Sequence, residues 1–90
     1  MLAIKFTTKF KKDYKIIKKR GYNIRLFAET VGILASEQQL PQKYKDHALS
    51  GEYEGLRECH IQPDWLLVYR IEKDALILTL ARTGTHSDLF

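Results

Sequence analysis

The sequence predicts an α+β fold of order β-α-α-β-β-β, with an N-terminal helical hairpin packed on a small antiparallel sheet. Three observations predict it. Apolar residues recur at helical spacing twice within the first 35 residues, a polar break follows, and three strand-like runs with short connections fill the second half. Ninety residues at 44% hydrophobic content supply one core, so residues 1–90 read as a single domain.

Leu2 to Phe6 is a short opening strand. Phe6, Phe10, Tyr14 and Ile17 then recur at spacings of four, four and three, with lysines filling the positions between. That pattern is an amphipathic helix with a basic outer side. Gly21 is a natural helix stop, and Asn23 can cap a second helix whose apolar positions are Ile24, Phe27, Val31 and Leu34. Gly32 inside this helix costs about 1 kcal/mol relative to alanine, which is tolerable where packing is tight. From Leu40 to Tyr53 the pattern breaks into a loop that holds His47. The runs Gly55 to Ile61, Trp65 to Ile71 and Ala75 to Arg82 follow, joined by Gln62-Pro63-Asp64 and Glu72-Lys73-Asp74, which implies an antiparallel meander. Both alternating sets of the middle run are largely apolar, so that strand is central and covered on both faces.

Charge is unevenly spread. Residues 1–25 hold nine Lys and Arg against one acid, Asp13, whereas residues 26–90 hold six against ten, so the ends carry +8 and −4. Basic density of this kind attracts polyanions through counterion release, and Lys11, Lys15 and Lys18, off the apolar stripe, are candidate RNA contacts. The plain alternative is a solvated helix face. No run of about eighteen apolar residues exists and the start lacks the features of a signal peptide, which points to the cytoplasm and away from a membrane. The single Cys59 suits a reducing compartment.

Pairing the meander about its short turns brings His60, Asp64, Trp65 and Arg82 to one end of the sheet, and the chain continues there through His86 to Phe90. These residue types suit phosphodiester transfer within RNA. A histidine titrates near neutrality and fills either proton role, Arg82 suits phosphate oxygens, and Trp65 or Phe90 can stack on an unpaired base. Any single histidine is more often an ordinary surface residue, and Trp65 at a strand start is more often core. A metal site on His47, His60 and His86 lacks the usual ligand spacing, so no metal or other cofactor is expected.

Three stretches carry a resemblance. Asp46–Gly51 reads DHxLxG, His60–Tyr69 reads HxxPDWxLxY, and Arg82–Phe90 reads RTGTHxxLF. Together they resemble YafQ-type toxins of the RelE superfamily, in detail over the second half of the chain and in pattern over the helical half. The resemblance implies a RelE-like fold and an mRNA-cleaving endoribonuclease that works on the ribosome. It also implies a cognate acidic antitoxin. By residue, it implies catalytic roles for His47, His60, Asp64 and His86, with His86 the candidate acid. Arg82 and Phe90 fall at phosphate- and base-binding positions, and Trp65 at a flanking aromatic one. Glu58 stands where some relatives carry aspartate, and its role is open. Two other readings remain: a noncatalytic RNA- or ribosome-binding module, and a ribonuclease of the same fold that needs no ribosome.

Overall fold

Short-range capping sets the helices. In a computed structural model describing residues 1–90, Thr7 caps α1 (Thr8–Lys19) by accepting from the Phe10 N–H at 3.0 Å, and its hydroxyl donates to the Ala81 carbonyl at 2.8 Å. One side chain therefore starts the helix and ties it to the sheet. Gly21, at φ +78°, ends the run, and Asn23 accepts from the Arg25 N–H at 3.1 Å to open α2 (Ile24–Ala35). The inner faces of the hairpin are those the apolar spacing predicts, with Phe10, Ile17, Phe27, Val31 and Leu34 all buried. Gly32 differs: a Cβ there would meet nothing within 4 Å, so no tight packing explains it.

The sheet has five strands: β1 (Ala3–Phe6), β2 (His47–Ala48), β3 (Arg57–Gln62), β4 (Trp65–Glu72) and β5 (Ile77–Gly84), in the order β1-β5-β4-β3-β2. β3, β4 and β5 form the expected antiparallel meander with β4 at its centre. β1 is the exception to an all-antiparallel sheet, since it runs parallel to β5, with Ala3 opposite Ile77 and Phe6 opposite Leu80. The chain between β1 and β5, residues 7–76, runs through the helical hairpin, the loop and strands β2 to β4, far more than the dozen or so residues that a parallel neighbour needs. The loop around His47 contributes the two-residue strand β2, paired to β3 with His47 opposite Glu58. A one-turn helix, α3 (His86–Leu89), follows β5.

The pleat divides the buried residues into two sets. Trp65, Leu67 and Tyr69 of β4 join Cys59, Ile61, Leu78 and Leu80 under the helices. Leu66 and Val68 point the other way, where Leu89 of α3, Leu49, Leu56 and Ala81 cover them. A bulge at Ala81 resets the phase of β5: Leu80 stands opposite Tyr69, but Arg82 stands opposite Val68. Without that extra residue, strict alternation would turn Arg82 towards the helices beside Leu78 and Leu80. With it, Thr83 takes the inner position, accepting from Trp65 Nε1 at 2.9 Å.

Candidate active site

On the face away from the helices, three imidazoles form a row. His47 on β2 and His60 on β3 have ring centroids 6.4 Å apart, and His60 and His86 at the start of α3 are 5.6 Å apart. Period two of the strands places Glu58 on the same face, and its carboxylate lies beneath the first pair. Glu58 Oε1 is 3.5 Å from His47 Nε2 and 3.8 Å from His60 Nε2. Glu58 is 5% exposed, and its second oxygen, Oε2, is buried with no hydrogen-bond partner. Buried carboxylate oxygens are normally satisfied, so an orphan beside two imidazoles points to work other than stability. Sequence reading left Glu58 open, although its i, i+2 spacing from His60 is the signal that puts both on one face.

Backbone carbonyls orient the first two histidines. His47 Nδ1 lies 2.8 Å from the Lys45 carbonyl and His60 Nδ1 lies 3.2 Å from that of Pro63. A carbonyl only accepts, so each Nδ1 carries the hydrogen and each Nε2 is the nitrogen that takes up or releases a proton. His86 is held differently. Asp64 Oδ1 accepts from its Nδ1 at 2.6 Å and from its backbone N–H at 3.0 Å, leaving Nε2 of a half-exposed ring towards solvent. Those two donations hold the Asp64 carboxyl below the usual carboxylate range. The arrangement is an imidazole oriented by a carboxylate, with one nitrogen free for proton transfer.

The segments carrying these side chains are anchored from outside the row. Asp46 accepts from Arg57 Nη2 at 3.0 Å and from the Tyr69 hydroxyl, which fixes the start of β2. Burial, reinforced by Asp46, pushes the Tyr69 phenol up. At the other end Thr85 and Asp88 cap each other's backbone N–H groups around the first turn of α3. Tyr53, which sequence reading did not single out, donates to the Leu89 carbonyl at 3.2 Å and meets the Phe90 ring edge-on at 5.4 Å.

Two expected placements need correction. Trp65 is 1% exposed and packs edge-on against Tyr22 at 5.0 Å, so its ring belongs to the core and offers no face to a base. Arg82 does not sit at the rim beside Trp65. The bulge seats it opposite Val68, which itself stands opposite Glu58, so its backbone lies two strand spacings, about 10 Å, from that of Glu58. Its guanidinium is clamped by Asp13 of α1, Nε to Oδ2 at 2.7 Å and Nη2 to Oδ1 at 3.2 Å. Lys11, Lys15 and Lys18 are exposed, as their place off the apolar stripe predicts, and line a cleft of about 540 Å³ with Phe6, Phe10, Tyr14 and Phe27 in the helical layer. Phe90 is exposed, as a stacking ring must be.

No three of the His, Cys, Asp and Glu side chains are grouped to hold a metal ion. Cys59 is fully buried, and burial pushes its thiol up to about 12, which removes it as a nucleophile. No helix is long and apolar enough to cross a membrane.

Residues 2–90 match the family model described as the bacterial toxin of type II toxin–antitoxin systems, YafQ. The mRNA interferase toxin YafQ of Escherichia coli K12 is 35% identical over 88 residues, covering 97% of this chain and 94% of the relative. Among solved structures, a metal-bound toxin from Helicobacter pylori superposes with a TM-score of 0.93 at 51% identity over the whole of both chains. The E. coli DinJ–YafQ complex contains a chain that superposes at 0.90 with 34% identity, over 100% of this chain and 99% of that one.

Proposed function

The chain belongs to the YafQ family of bacterial type II toxin–antitoxin toxins, and from that premise we propose that it is a metal-independent endoribonuclease that cuts messenger RNA on translating ribosomes. The observation that carries this reading is the open row His47–His60–His86, with Glu58 under one end and Asp64 holding the other. In the proposed reaction the 2′-hydroxyl loses its proton to Nε2 of His47 or His60, and its oxygen bonds to the adjacent phosphorus. The P–O5′ bond breaks, and His86 Nε2 gives its proton to the leaving oxygen. The products are a 2′,3′-cyclic phosphate and a 5′-hydroxyl. Asp64, accepting from His86 Nδ1, keeps the ring turned outward with Nε2 towards the leaving oxygen.

Arg82 supplies a fixed positive charge for the phosphorane. With Nε and Nη2 held by Asp13, Nη1 is the nitrogen left to meet a phosphate oxygen. Phe90, exposed and braced edge-on by Tyr53, offers a ring on which a neighbouring base stacks. The lysine cleft lies in the helical layer and provides electrostatic attraction for the ribosome's RNA or for an acidic antitoxin. An antitoxin partner is supported by the toxin–antitoxin complex of the related E. coli toxin with DinJ. The setting is cytoplasmic.

Analysis of RNA ends tests this. Cleavage of mRNA in a translating extract should leave cyclic or 3′-phosphate ends, with naked RNA cut far more slowly. Tight binding with RNA left intact would favour the noncatalytic module, and equal cleavage of naked RNA the ribosome-free enzyme. Because one relative is described as metal-bound, metal is tested directly. EDTA should leave the rate unchanged, whereas added copper should inhibit by taking the imidazole lone pairs that receive the proton. Inhibition by EDTA that zinc reverses would replace the acid–base reading with a metal one.

A further inference from the structure

Two charged side chains, Asp13 of α1 and Arg20 at its C-terminal cap, reach from the helix to the end of β5 and to α3. Asp13 is the only acid in the first 25 residues, and Arg20 lies seven positions later, two helical turns on and on the same side. Between them Ile17 is 1% exposed, so this side of α1 faces the rest of the protein. A cleft of about 170 Å³ marks the junction, lined by Asp13, Ile16, Ile17, Arg82, Thr83 and Asp88. β1 ends opposite Leu80, so the outer edge of β5 beyond that point has no strand beside it. Asp13 fills the gap, accepting from the Thr83 N–H at 3.2 Å as well as from the Arg82 guanidinium. Arg20 makes the matching contact with α3, Nη1 to Asp88 Oδ2 at 2.7 Å and Nη2 to Oδ1 at 3.1 Å.

Asp88 couples that second contact to His86. The same Oδ2 that meets Arg20 also accepts from the Thr85 N–H at 2.9 Å and so fixes the first turn of α3, on which His86 is the first residue. Gly84 makes room for this: a Cβ there would stand 2.8 Å from Asp88 Oδ2, so a side chain would push Asp88 out of both contacts.

We propose that Asp13 and Arg20 are positioning residues of the active site, Asp13 aiming the Arg82 guanidinium and Arg20, through Asp88, holding α3 so that His86 stays on Asp64. This rests on the nuclease reading of the same site and adds two residues that touch no substrate. The Arg20–Asp88 contact is not chiefly about stability. The Arg20–Asp88 pair is on the surface, with side chains 39% and 30% exposed, and such pairs contribute little to folding. Their geometry matters more, because a catalytic group displaced by about 1 Å can lose on the order of 100-fold in rate.

The test compares Arg20→Gln, Arg20→Lys and Asp13→Asn with Arg25→Gln, a control that removes an exposed charge from α2. Arg20→Gln should lower kcat by about tenfold or more with KM unchanged, and lysine should rescue only part, since it lacks the two-pronged fit. In the same variant NMR titration of the Asp64 carboxyl should move up towards the ordinary carboxylate value, because the His86 donors that hold it down have drifted. Asp13→Asn should lower kcat and leave the Asp64 titration in place. A rise in KM alone for Arg20→Gln, with Asp64 unmoved, would make Arg20 one more RNA-attracting cation and overturn its part. Tighter RNA binding with full kcat in Asp13→Asn would make Asp13 a competitor of phosphate and overturn the other. If the unaltered protein cuts no RNA, the nuclease reading falls, while the Asp64 titration still decides whether Arg20 holds α3.

Discussion

On the helix side of the sheet, Trp65, Leu67, Tyr69, Leu78 and Leu80 are all within 1% of full burial, and every one meets another apolar side chain. On the opposite side Leu66 and Val68 are buried as deeply, yet their cover is only the loop bearing Leu49 and Leu56, Ala81 and the one-turn helix α3. The same face carries His47, Glu58 and His60, with an unpaired carboxylate oxygen among them. A single β4 thus presents a finished core in one direction and an unfinished one in the other. The difference teaches that this fold keeps its stability and its proposed chemistry on separate sides of one strand, so substitutions should divide the same way.

The widest separation is expected at His86. Its ring is half-exposed and its partner Asp64 is more exposed still, so His86→Ala should leave the melting temperature almost unchanged. RNA cleavage should fall by about 10²- to 10⁴-fold, the usual loss when a general acid or base is removed. Thermal melts and cleavage rates on one preparation check both halves. Normal cleavage with the same RNA ends would move the acid's role onto His47 and His60.

Trp65 should give the reverse. Trp65→Ala removes a wholly buried ring and leaves Thr83 without its indole donor, at a cost of about 3 to 5 kcal/mol in denaturant unfolding. The fraction that stays folded should still bind RNA normally. A stable Trp65→Ala protein with weakened RNA binding would break the comparison, because it would require the indole to leave the core and meet a base.

Acid should find the thin side first. Asp64 and Asp88 are both held below the usual carboxylate range, Asp64 by the His86 backbone and ring, Asp88 by Arg20 and then the Thr85 N–H. A carboxyl depressed on folding adds stability above its unfolded value, and that stability is lost as pH falls through the folded one. The window therefore opens near the ordinary carboxylate pKa, about 3.9, and extends below it. Amide exchange at His86 to Phe90 should rise there while β4 stays protected. Simultaneous loss of both would show that α3 and the core form one cooperative unit.

Sequence patterns exposed the finished side better than the other. The apolar stripes, Gly21 and Asn23 located the hairpin, and the two apolar sets of β4 marked it as central, because burial leaves a periodic trace in composition. The histidines, Asp64 and Phe90 were legible by residue type and by the resemblance. What the sequence hid depends on single-residue geometry. The bulge at Ala81 carries no local signal, yet it moves Arg82 from the rim to a place opposite Val68. β1 pairs in parallel with β5, a strand far along the chain, which leaves no local trace, and β2 is too short to show alternation. Asp13 and Arg20 looked like an acid and a base in a lysine-rich helix, since partners 69 and 68 residues away leave no mark on local spacing. α3 was readable in principle from Thr85 and Asp88, three residues apart, the spacing of a reciprocal cap.

The smallest expected effect sharpens the comparison from the finished side. Gly32 interrupts α2 on its exposed surface, and its helical backbone needs no conformation that an L-residue avoids. An added methyl meets nothing within 4 Å, so Gly32→Ala brings no clash and no new contact. What changes is the unfolded chain, which loses some of glycine's backbone freedom, and the helix, which gains a better former. The substitution should therefore raise unfolding stability by about 0.5 to 1 kcal/mol, read as a higher denaturant midpoint at unchanged slope. RNA cleavage should stay the same, because α2 lies across the sheet from the histidine row. A stability gain accompanied by slower cleavage would mean that flexibility in α2 reaches the other face, and that the two sides of β4 are less independent than their packing implies.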